Sequence, residues 1–175
     1  MELASVAPDE EHVWRATREF ATLRQLLAAV EWGALDVLVF DLPPGPERTA
    51  QFAQALASLP RPPAFVLVTI PSDLSRGVVA RSVSALGESG TRVLGYVENM
   101  DGYYCRECDE IRPLFPASST PIELPCLGKI PFDPALAELC DQGWPTDALA
   151  GIEPRSLALL REVARNVLNE LESAS

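Results

Sequence analysis

The chain has 175 residues, 47% of them apolar and 22% charged, and 14 Lys and Arg stand against 25 Asp and Glu for a formal net charge of −11. That length suits one domain with a real core, and the composition excludes an intrinsically disordered chain. The negative charge repels phosphate backbones and anionic lipid, which excludes nucleic acid and membrane surfaces as default partners.

The N-terminal stretch "MELASVAPDEEHVW" lacks a basic region followed by an apolar core, so no signal peptide is expected. No apolar run approaches the roughly 18 residues of a membrane span. A cytoplasmic chain is therefore expected, in which four cysteines point to metal or core roles before disulfides.

In chain order, residues 15–30 place Phe20, Leu23, Leu27 and Val30 on one helical face. "DVLVFDLPPG" then gives a short apolar run ending in Asp41 and closed by Pro43, Pro44 and Gly45, a buried strand and a sharp loop. "ERTAQFAQALASL" predicts a helix with Phe52, Leu56 and Leu59 inward, and "AFVLVTIP" a second buried strand. A helix follows from Ser72 or Asp73 to about Glu88, then a third strand in "TRVLGYVEN". Residues 101–126 form an excursion with four prolines and little periodicity. "CLGKIPFD" predicts a shorter fourth strand, and residues 154–172 a closing helix that starts near Pro154. The buried stripe expected on that helix is Leu157, Leu160, Ala164, Val167 and Leu171.

Strands alternating with helices of this length predict an α/β fold, a three-layer parallel sheet with helices on both faces. One domain over residues 1–175 is expected, with the excursion at about 101–126 carrying a metal site. Ligands on such sheets sit at the carboxyl ends of the strands, where Asp41, Pro71, Asn99 and Pro131 fall.

"DLPPG" at Asp41, "VENM" at 97–100 followed by "CREC", and "LGKIPFDP" at 127–134 occur in that order, with "VWRATREF" and "VEWGALDVLVF" upstream. Together they resemble the Mrp-type iron–sulfur cluster carriers, a branch of the ParA/MinD-like P-loop ATPases, from about Val13 to the closing helix. Members of that family begin with a phosphate loop of the type K-G-G-x-G-K-S/T, whose backbone N–H groups wrap the phosphates. No such stretch occurs here; the one Gly-Lys pair is Gly128-Lys129, with no glycine-rich loop before it. Pro46-Glu47 follows "DLPPG" where the family has Thr-Gly-Asp, and "WRA" replaces "WRG". What is present resembles the C-terminal half of the ATPase domain.

Cys105 and Cys108, in "YYCRECDE", lie among Tyr104, Arg106, Glu107, Asp109 and Glu110, a solvated setting unlike that of a core thiol. A redox pair wants a helix N-terminus or cations to stabilise its thiolate. Three carboxylates and the downstream Pro113 and Pro116 oppose that, which leaves metal ligation. A 4Fe–4S cluster or a tetrahedral zinc ion wants about four ligands. Cys126 and Cys140 could complete four within one chain, but Cys126, at a strand start, and Cys140, beside Leu136 and Leu139 on a short helix, read more readily as core residues. The remaining solution is a two-fold axis that brings two copies of "CREC" together in a homodimer. The resemblance implies the same, a subunit-bridging cluster delivered to recipient apo iron–sulfur proteins.

By the same resemblance Asp41 is the aspartate that holds the water shell of Mg²⁺, and Asn99 with the Pro131–Asp133 loop borders an adenine. The alternatives are a loop-capping Asp41 and an Asn99 that satisfies turn backbone. His12 reads as a surface residue, and Trp14, Trp32 and Trp144 as packing anchors.

Two functions from different classes follow. The first is an iron–sulfur carrier or scaffold that ligates through Cys105 and Cys108, without ATP hydrolysis of its own. The second is a degenerate ATPase-like regulatory or interaction module with structural zinc or no metal. A separate chain bearing the phosphate loop is a possible partner. For a free-standing sheet, residues 37–41 are expected to pair directly with residues 65–70, since an open gap would expose two backbone edges.

Overall fold

The computed structural model of the chain describes residues 10–57, 59–105, 107–141 and 155–173. Trp144 and Pro154 lie outside the described residues, as do the side chains of His12 and Trp14. Two compact units form, Met1–Pro43 and Pro44–Ser175.

In the first unit, α1 (Glu10–Ala29) begins earlier than its apolar spacing suggests. Phe20, Leu23 and Leu27 are half-buried along one face, and Val30 is exposed. The Trp32 indole N–H donates to the Leu27 carbonyl at 3.1 Å, which ties the following segment back to the helix end.

The second unit holds the sheet. α2 (Pro46–Leu56) starts with proline in its first turn, where a missing N–H costs nothing, and buries Ala53 and Leu56. β1 (Phe65–Thr69) follows. α3 (Asp73–Glu88) is capped by Ser72, whose hydroxyl accepts from the Ser75 N–H at 3.3 Å. β2 (Val93–Cys105) is the longest strand, and β3 (Glu110–Arg112) turns back along its end. β4 (Cys126–Phe132), α4 (Pro134–Asp141) and α5 (Arg155–Glu172) complete the unit.

β2 is the central strand. Its first half pairs in parallel with β1 (Leu67 opposite Tyr96) and with β4 (Asn99 opposite Ile130). Its last three residues pair antiparallel with β3. Leu94, Val97, Leu127 and Ile130 form a core on which Val66 and the α5 residues Leu160, Val163, Val167 and Leu171 pack. Alternation along β1 sends Phe65 and Leu67 to the opposite face, and α3 packs against β1. The α/β sheet is thus covered by helices on both faces.

Three expectations are corrected. Val163 takes the place of Ala164 in the α5 stripe, and Ala164 is exposed. Periodicity allows either residue; the choice is made by Gly128, where a Cβ would stand 2.5 Å from Val163 Cγ2. Residues 101–105 belong to a strand rather than to an irregular excursion, because β2 continues through a kink to Cys105.

Third, residues 37–41 form no strand, and among the described residues β1 pairs with β2 alone. A crossover between adjacent parallel strands needs its helix to lie over the sheet. Here α2 packs on α3 instead. Leu35, Val37 and Val39 are 50%, 42% and 84% exposed.

Candidate metal site on a strand hairpin

β2 changes character between Asn99 and Tyr103, where its register with β4 shifts. Met100 (φ 56°) and Gly102 (φ 95°) both take left-handed backbone there. A side chain at Gly102 would place Cβ 2.5 Å from Ile111 Cγ2 and 2.8 Å from the Arg112 carbonyl oxygen, so glycine is what lets β3 close onto β2. Beyond this kink the strand becomes one arm of a hairpin, with Tyr104 opposite Ile111 and Cys105 opposite Glu110. The Tyr103 ring stacks on Phe132 at a centroid distance of 6.2 Å, which fixes the hairpin stem to the end of β4.

Cys105 ends the outgoing arm and Cys108 lies in the turn, half-buried and exposed respectively. Asp109, at φ 55°, makes the sharp return, and its carboxylate accepts from the Tyr104 hydroxyl. The Cys105 thiol is held below its ordinary pKa. The Cys108 N–H is the largest cause; the Cys108 thiol, the Glu107 N–H and the Arg112 charge add to it, against a small opposing effect of burial. Sequence reasoning looked for a helix or a cation beside these thiols and missed that turn amides supply the same stabilisation. The turn-forming composition "CRECDE" was the available signal. Two N–H groups aimed at a sulfur also suit a metal-bound thiolate, whose charge they offset.

Cys126 pairs with Tyr96 at the far end of the parallel sheet. Nine residue steps along β2 separate Tyr96 from Cys105, up to roughly 30 Å at the usual rise per residue. It therefore cannot share a centre with Cys105 in the same chain. Cys126 and Cys140 are both exposed, which corrects the core roles expected for them. For Cys126, β4 begins at the sheet's rim, beyond the helix cover; for Cys140, Leu139 takes the inward position on α4 and turns its neighbour out. Among the described residues no group of three or more His, Cys, Asp or Glu gathers within metal-binding reach.

The nucleotide candidates divide. Asn99 lies within β2 rather than at its end, just before the register shift and opposite Ile130, and Pro131 is next to last in the neighbouring β4. The Asn99 side-chain oxygen accepts from the Met100 N–H at 2.9 Å, so it supports the kink. Asp133 is 3% exposed, and both its oxygens are engaged: Oδ1 accepts from the Ala135 N–H at 2.9 Å and Oδ2 from the Ser156 hydroxyl at 2.7 Å. It caps α4 and joins that helix to the start of α5. Asp41 is exposed on the irregular segment of the first unit.

A second cluster escaped the sequence reading. Glu98 is fully buried, and its carboxylate meets Arg76 of α3 and Lys129 of β4. Burial pushes its pKa up, but the Lys129 and Arg76 cations paired with it more than offset this, so it lies below its ordinary value. A lone charge inside "VLGYVEN" was the signal for it. Nearby, the Asp73 carboxylate accepts from the Ser118 hydroxyl at 2.6 Å and from the Ser119 and Thr120 N–H groups, both at 2.9 Å. These bonds dock the proline-rich excursion on the start of α3.

An α/β sheet with two cysteines, one half-buried and one exposed, on a hairpin beyond the carboxyl edge of its parallel strands defines the class. The model of the ParA-type family described as NUBPL iron-transfer P-loop NTPase matches residues 1–168, and the chain belongs to that family. It is 36% identical over 142 residues to a cytosolic Fe-S cluster assembly factor NUBP2 of Gallus gallus, covering 78% of this chain and 52% of that protein. It is 34% identical over 173 residues to an iron-sulfur cluster carrier protein of Saccharolobus solfataricus, covering 94% and 56%. Among solved structures, a nucleotide-binding protein in complex with ADP from Archaeoglobus fulgidus superposes with a TM-score of 0.59 at 29% identity, covering 77% of this chain and 58% of the other. The chain thus spans about half the length of the curated relatives it matches.

Proposed function

We propose that this chain is an iron–sulfur cluster carrier or scaffold of the Mrp type, and that it binds a 4Fe–4S cluster between two copies through Cys105 and Cys108. The observation that carries the reading is the hairpin itself, which holds a half-buried and an exposed thiol three positions apart, with turn amides on one sulfur. Two ligands per chain are half of what a cluster wants, and an isologous pair of hairpins supplies four. Ile111 and Leu114, about half exposed beside the hairpin, and Phe132 at its stem give such a contact apolar surface. A cluster held at a subunit boundary is open to attack by incoming thiols, which suits transfer to apo iron–sulfur proteins in the cytoplasm.

On this reading the chain acts as one functional unit that turns over no ATP alone. Asp41 would hold the Mg²⁺ water shell and Asn99 with the Pro131–Asp133 loop would flank a base only beside a phosphate loop from elsewhere. That β1 pairs with β2 alone among the described residues supports a partner chain that adds a strand there.

Anaerobic reconstitution with iron and sulfide, followed by iron counting and mass measurement, tests the proposal. The expected product is a brown dimer with one cluster per two chains. Cys105→Ser or Cys108→Ser abolishes binding, whereas Cys126→Ser and Cys140→Ser leave it intact. Retention of iron by the Cys105/Cys108 double variant overturns the assignment. A colourless protein holding zinc supports the regulatory-module reading instead.

A further inference from the structure

Glu98 stands immediately before the kink from which the cysteine hairpin springs. Its Oε1 accepts from Arg76 Nη2 at 2.5 Å and from Nε at 3.1 Å, and Lys129 Nζ lies 2.8 Å from Oε2. The contact to Oε2 is an ion pair without hydrogen-bond geometry. A buried charge persists only where it is paired, and an apolar pair across β2 and β4 would serve packing as well or better. Each cation has a second partner. Arg76 Nη1 donates to the Thr120 carbonyl at 3.0 Å, in the docked excursion. Lys129 Nζ also lies 3.3 Å from the carboxylate of Asp101, inside the kink. Glu98, Arg76, Lys129, Asp101 and residues 113–118 line one cleft of about 350 Å³ beside the base of the hairpin.

We propose that Glu98 is a positioning residue for the cysteine pair. One arm, through Lys129 to Asp101, sets the direction in which the hairpin leaves the sheet. The other, through Arg76 to Thr120, holds the excursion that returns from it. The link to metal rests on the reading of Cys105 and Cys108 as ligands; the link to the hairpin does not. A ligand pair held by such supporting bonds keeps its spacing while a cluster comes and goes.

Amide hydrogen exchange on the metal-free protein separates these roles. Glu98→Gln keeps the shape and removes the charge. It is expected to speed exchange in residues 103–112 and 118–120 by about tenfold while β1 is unchanged. Asp101→Asn, on an exposed arm, is expected to loosen the hairpin alone, and the double variant to loosen it no further than Glu98→Gln. Unchanged hairpin exchange in both variants overturns the proposal, as does uniform acceleration through β1, the mark of a merely structural charge. Should Glu98→Gln fail to fold, Asp101→Asn still decides. In iron-loaded protein, Glu98→Gln is expected to load the same iron and lose it faster to a chelator. Failure of the native protein to load iron overturns the metal reading and leaves exchange to judge Glu98.

Discussion

Gly102 shows how one residue type makes the hairpin possible. Its φ of 95° and the 2.5 Å approach of Ile111 Cγ2 to the site of a Cβ leave room for hydrogen alone. The second obstacle, the Arg112 carbonyl oxygen, is backbone and cannot rotate away. Gly102→Ala is therefore expected to destabilise the protein by about 1–3 kcal/mol, read as a lower urea midpoint. An unchanged midpoint would mean that the hairpin adapts at little cost. Gly128 differs, since its obstacle is the Val163 side chain and not backbone.

At the scale of elements, the start of α3 is where the proline-rich excursion is fastened. Ser118 is the largest cause holding the Asp73 carboxyl well below the usual carboxylate range, and Thr120 and Ser119 add to it. A carboxyl lowered in the folded state contributes stability above its unfolded pKa, about 3.9 for Asp, and that contribution is lost as pH falls through the folded value. Glu98 acts in the same direction. Stability measured by urea unfolding is expected to hold near neutrality and to decline once pH drops below about 4. Asp73→Asn is expected to flatten part of that decline and to loosen residues 118–120 at neutral pH. A pH profile identical to that of the native chain would show that these bonds add nothing to folding.

At the scale of the whole molecule, the chain carries the cysteine hairpin and the carboxyl ends of three parallel strands, without a glycine-rich phosphate loop. A phosphate-loop lysine and its backbone amides supply most of the binding and transition-state stabilisation of a triphosphate. The purified chain is therefore expected to bind ATP weakly and to release no phosphate from it. Turnover that disappears in Asp41→Ala would overturn this. The partners proposed here follow the same division: a second copy at the hairpin, and a strand-bearing chain at the edge of β1.

Elements whose signals are local were legible in the residues alone. Ser72 marks the start of α3, and the apolar runs mark β1 and β4 within a residue or two. The 3.6-residue period of the closing helix marks α5. The cysteine pair was legible too, because its charged neighbours excluded a core role. Tertiary structure decided what depends on distant partners. The exposure of Cys126 and Cys140, the choice of Val163 over Ala164, and the unpaired 37–41 segment rest on which surfaces meet. Asp133 and Asn99 look alike in sequence as polar groups at strand ends, yet one caps a buried helix and the other props a kink. The Glu98 cluster joins α3, β2 and β4, whose charges become neighbours only when the sheet closes and removes water from between them.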